Sequence, residues 1–118
     1  MGVWVAGYSN SAREAMDDLQ ADVAVFLQRH ELKHDAASHV LDLVSEVGEI
    51  AKLVLEATDY GKQPPNWNKD FEGEIGDAAY SLLALATVLD VELEGALREA
   101  LDKLEMRIRE TGRPGSGR

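Results

Sequence analysis

The chain has no cysteine, and so neither a disulfide framework nor a thiolate metal site is open to it. Proline occurs three times, as the pair Pro64 and Pro65 and again at Pro114, leaving the long stretches between free of helix breakers. Histidine is scarce, and His30, His34 and His39 lack metal-ligand spacing, which points to solvated or capping roles. No apolar run approaches the roughly 20 residues of a membrane span, and the first residues lack the basic and apolar regions of a signal peptide. A cytoplasmic protein without a membrane partner is the expectation. Basic residues are outnumbered, 12 against 22 acids for a net charge of −10, which excludes tracking a nucleic-acid polymer by counterion release.

What is present is helical periodicity over 118 residues, one domain's worth. Residues 11–29 repeat apolar side chains at three and four, from Ala12 through Leu19, Val23, Phe26 and Leu27, behind a capping box of Ser11 and Glu14. A second helix is expected from about Asp35 to Ala57, with Val40, Val44, Val47, Ala51 and Val54 as its stripe and Leu43 and Ile50 widening it. The connection 58–70 collects the turn formers, with Asn66 and Asn68 expected to shape the turn and cap the next helix. A third helix runs from Asn68 or Lys69 to Leu89, and a fourth carries Leu93, Leu97, Leu101, Leu104 and Ile108. The expected fold is all-α, a four-helix bundle over 1–110 with helices two and three antiparallel and 111–118 a disordered tail.

The acids carry the chemical information. At about 100° per residue, Asp77, Ser81, Ala84 and Val88 fall within about 80° of Glu74, forming a seam beside the apolar face of Phe71, Ala78, Leu82, Leu85 and Leu89. Helix two has a matching pair, Glu46 and Glu49, also three apart. On antiparallel neighbours the four carboxylates converge. Two carboxylates about 5 Å apart repel by roughly 3 kcal/mol at an effective dielectric near 20, so four of them require protonation or a cation. An all-oxygen donor set suits Mg²⁺, with Mn²⁺ as a substitute, rather than Zn²⁺. A ferritin-like di-iron site is excluded, because no Glu has His three residues later.

The words "SEVGEIAKL" and, beyond the connection, "GEIGDAAYSLLALA" resemble the E-x-x-E and E-x-x-D signature of the MazG-like all-α nucleoside triphosphate pyrophosphohydrolases over roughly Asp35 to Arg109. The resemblance implies Mg²⁺-dependent cleavage of a nucleoside triphosphate to the monophosphate and pyrophosphate, in a bundle completed as a homodimer or homotetramer with sites near the subunit interface. It makes Glu46, Glu49, Glu74 and Asp77 the metal quartet, with Glu46 or Glu49 also accepting a proton from the attacking water. It assigns Lys103 and Arg107, with Arg109 as a weaker candidate, to the substrate phosphates. Tyr80 and Ser81 stand where relatives place aromatic residues for the base; Trp67, Trp4 and Phe26 are further candidates. Two alternatives stay open: a phosphoribosyl-ATP pyrophosphohydrolase, and a helical interaction module whose acid site is structural.

Overall fold

The computed structural model describes residues 10–32, 35–68 and 70–115, with side chains from Ala15 onward in the first helix. Trp4, His34, Lys69 and the side chains of the Ser11–Glu14 capping box lie outside what is described. Four α-helices make up the fold, α1 (Asn10–Arg29), α2 (Ala36–Ala57), α3 (Phe71–Val88) and α4 (Leu93–Thr111), and the described residues contain no strand. None of the four is long and apolar enough to cross a membrane.

Their ends follow local chemistry. Asp35 caps α2 by accepting the Ser38 N–H at 2.8 Å. For α3 the cap is Asp70, which accepts the Gly73 N–H at 2.9 Å, so the helix starts later than expected and Asn68 is not its cap. A Cβ at Gly73 would stand 2.6 Å from the capping Asp70 Oδ2, so glycine lets the cap carboxylate keep its position. Gly112, at φ 79°, closes α4 in the left-handed conformation and donates to the Ile108 carbonyl at 2.8 Å. Thr111 is therefore still helical, one residue into the segment expected to be disordered.

The 58–70 connection opens with three consecutive left-handed residues, Asp59, Tyr60 and Gly61. Thr58 Oγ1 holds this turn by accepting the Gly61 N–H at 2.9 Å. The chain then returns to the end of α2, where the Asn66 N–H donates to the Ala57 carbonyl at 2.8 Å. That bond fixes the direction of α3. The five residues from Asn66 to Phe71 span at most about 17 Å. A parallel α3 that kept Glu74 beside Glu46 would need Phe71 about 21 Å up α2 at 1.5 Å per residue. The two helices therefore run antiparallel.

The α2–α3 pair is the main packing of the molecule, and α1 lies across α3 and against α4. Leu27, Ala57, Leu83, Ala84 and Ala86 form its buried apolar core. On α2 the side turned inward carries His39, Leu43, Glu46, Ile50, Leu53 and Ala57, all buried or half-buried. The valine stripe is not on it. Val40, Val44, Val47 and Val54 are exposed, and so are Leu82 and Leu89 on the face of α3 that reads as apolar in the sequence. One chain covers only one of the two apolar sides of these helices.

Candidate functional site

The acid pairs meet. Oxygens of Glu46, Glu74 and Asp77 all lie within 4.8 Å of one another, with Glu46 and Glu74 half-buried and Asp77 exposed. The seam reading of α3 accounts for this placement: beyond Asp77 the same side of the helix continues through Ser81 and Ala84, both buried. The carboxylates stand at the open end of a packed helix interface. Glu49 is exposed and outside this tight group, yet its charge acts on Glu74.

Loss of solvent, followed by the negative charges of Glu46, Glu49, Asp77 and Asp70, pushes the Glu74 carboxyl above its ordinary value. The ion pairs seen among the described residues, Arg98 with Glu94 and Arg109 with Glu105, are internal to α4. No lysine or arginine among the described residues forms an ion pair with any of the four acids. Three convergent carboxylates with no ion-pair partner among the described residues fit a hard divalent cation. A second acidic group, Asp17, Glu92 and Glu94, also gathers its oxygens, but there Glu94 is already paired with Arg98.

Beside the acids, one turn along α3 from Asp77, Tyr80 lines an open groove of about 440 Å³ between α1 and α3. Its other walls are Leu19, Val23, Phe26 and Leu83, with Asp22 as the one polar residue. Phe26 meets Tyr80 edge-on, with ring centroids 5.8 Å apart, and also contacts His30 at 4.6 Å. The size is within the range of small-molecule pockets, and its almost wholly apolar lining suits the face of a flat ring.

The remaining sequence candidates separate. Ser81 is buried in the α2–α3 seam and does not line the groove. Trp67 is exposed and packs edge-on against Phe71, ring centroids 5.6 Å apart, at the start of α3. Phe71 precedes Tyr80 by nine residues, about 13 Å along the helix, so Trp67 and Tyr80 do not meet. Lys103 is exposed and Arg107 half-buried on α4, whose principal contact is with α1 rather than with the acid-bearing pair.

Two residues escape a sequence reading. Asp22 sits three after Leu19 and four before Phe26, an acid inside an apolar stripe, which is the signal that marks Glu74. Gln20 has no such signal. Its Nε2 donates to the Val91 carbonyl at 2.7 Å, and its Oε1 accepts the Leu93 N–H at 2.8 Å, tying the α3–α4 turn to α1.

No family model matches the chain, and no solved structure matches it. Among curated proteins, the uncharacterized protein YpjD of Bacillus subtilis (strain 168) is 33% identical over 98 residues, covering 80% of this chain and 86% of that protein. The chain belongs to the family of that protein.

Proposed function

We propose that this member of the YpjD family is a Mg²⁺-dependent nucleoside triphosphate pyrophosphohydrolase of MazG-like architecture, completed by homo-oligomerisation, that converts a (d)NTP to the monophosphate and pyrophosphate. The observation that carries the reading is the convergence of Glu46, Glu74 and Asp77 within 4.8 Å, next to an apolar groove of base size. A structural acid cluster needs no such groove.

Glu46, Glu74 and Asp77 would hold the cation, Mg²⁺ or Mn²⁺ by the hardness of the donor set. Such an ion, when bound, neutralises triphosphate charge and acidifies a water. Glu49, outside the tight group but within its field, would accept the proton as water adds across the α–β anhydride and pyrophosphate leaves. The Phe26 and Tyr80 rings, in edge contact with each other, would together offer the base one apolar wall, with Asp22 among the residues around the groove. Lys103 and Arg107, on α4 against α1, are assigned to phosphate oxygens by the resemblance alone.

The test is pyrophosphate release from a panel of canonical and modified NTPs and dNTPs, with Mg²⁺, with Mn²⁺ and with chelator. Metal-dependent release establishes the chemistry, and the preferred base names the substrate. A panel that stays silent with a folded, metal-binding protein overturns the reading.

A further inference from the structure

α1 runs antiparallel to α3. Gln20 bonds to Val91 and Leu93 beyond the C-terminal end of α3, Ala24 and Thr87 line one recess, and Phe26 meets Tyr80. Each step up α1 is therefore a step down α3, toward the acids. His30 follows Phe26 by four residues and Gly76 precedes Tyr80 by four, so each lies one turn, about 6 Å, beyond the ring pair in the same direction. Asp77 stands next to Gly76 at that level. The His30 ring keeps to the groove side of α1, its centroid 4.6 Å from that of Phe26. The groove thus has an apolar end, at Leu19 and Leu83, and an acid end, where His30 stands across from Gly76 and Asp77.

The backbone fixes His30 in this place. Its N–H donates to the Phe26 carbonyl at 3.1 Å, and Glu31 then turns left-handed at φ 54°, so that the Leu32 N–H closes on the Leu27 carbonyl at 2.7 Å. Leu27 is fully buried and anchors the turn. His30 itself is exposed. Opposite it, Gly76 has nothing within 4 Å of the position a Cβ would take, so the side of α3 turned to α1 is bare there and leaves room beside Asp77. We propose that His30 is a polyphosphate-binding residue, its imidazole N–H donating to a phosphate oxygen of the substrate and then of the pyrophosphate product. With the base in the groove and the cation on the acids, the phosphates run through the space between, which His30 borders. The carboxylates hold the cation but repel the phosphate oxygens turned away from it, and an imidazole keeps an N–H to offer them in either protonation state. The inference rests on the acids as the metal site of the proposed function, and it draws on the geometry of α1 rather than on Lys103 and Arg107.

The experiment reads binding of pyrophosphate rather than turnover. Calorimetric titration of the full chain with pyrophosphate in Mg²⁺ is expected to show His30→Ala binding about 10-fold more weakly than wild type, as for loss of one hydrogen bond to a charged group. His30→Gln, which keeps an N–H donor, is expected to recover most of that affinity. A ring that only packs on Phe26 lowers the melting temperature of His30→Ala and leaves pyrophosphate affinity unchanged, which overturns the inference. Should the variants fail to fold, wild type still reports, because the His30 imidazole resonances, assigned through sequential connectivities, are expected to shift as magnesium pyrophosphate is added. Resonances that do not move overturn the inference, as does a wild type that binds no pyrophosphate. The two readings fail separately: a silent nucleotide panel with His30 responding to pyrophosphate removes the reaction and keeps the polyphosphate site, while an active panel with an unresponsive His30 does the reverse.

Discussion

Gln20 caps a helix 73 residues away: its Oε1 accepts the N–H of Leu93, the first residue of α4, at 2.8 Å. The local position for that duty is Glu92, whose side chain makes no cap bond. One N–H of the first turn of α4 is thereby satisfied by α1, and the α3–α4 turn and the start of α4 share one fastener.

Replacing Gln20 with Ala leaves the part-buried Leu93 N–H without its acceptor and frees the Val91 carbonyl. The expected cost is about 1–3 kcal/mol of unfolding free energy, read from urea denaturation, with the slope unchanged. A midpoint equal to that of wild type would show that water replaces the side chain without penalty.

Gly73→Ala sets a Cβ against the Asp70 cap. Loss of that cap is expected to cost about 1 kcal/mol and to fray the turn that carries Glu74, lowering Mg²⁺ affinity along with stability. Calorimetric Mg²⁺ titration of the variant separates the two effects, because a cap loss confined to stability leaves the affinity unchanged.

The Glu74 carboxyl, raised above its ordinary value, binds a proton more tightly folded than unfolded. Its contribution to stability is therefore present at acid pH and is lost as pH rises through the folded value. Metal-free protein should melt at higher temperature as pH is lowered from neutral toward the carboxylate range. Adding Mg²⁺, or substituting Glu74→Gln, should flatten that dependence. A metal-free profile equal to that of Glu74→Gln would remove the coupling between Glu74 and its acidic neighbours.

Glu49→Gln is expected to lower pyrophosphate release by about 10²–10⁴-fold while leaving Mg²⁺ binding and helicity near wild type. Glu46→Gln, in the tight group, should weaken Mg²⁺ binding itself. If the two variants lose metal affinity equally, Glu49 is a ligand and the proton acceptor must be sought elsewhere.

Asp22→Asn keeps the shape of the groove and removes the charged acceptor. It should raise KM for the preferred nucleotide by about 10-fold with little change in kcat, and should narrow the preference among bases. Tyr80→Ala should raise KM for all bases alike, since a ring face does not distinguish them. Unchanged KM in both variants would move base recognition out of this groove.

The four helices and the two acid pairs at i, i+3 are legible in the sequence because each rests on a local period that the chain itself carries. The same period places Ser81 and Ala84 behind Glu74 and Asp77 on one seam, and both are buried there. What periodicity cannot state is which neighbour arrives at which side of a helix. On α2 the valine stripe and the inward side bearing Leu43, Ile50 and Leu53 are both apolar and about 100° apart. Only the tertiary contact with α3 decides that the second is buried within the chain and the first is left outside. The same limit separates Tyr80, which faces α1, from its neighbour Ser81, which faces α2, and hides Gln20 until the α3–α4 turn folds back onto it. The α3 cap was also a tertiary outcome: the Asn66 bond to the end of α2 holds the connection back, and the helix begins where Asp70 can reach Gly73.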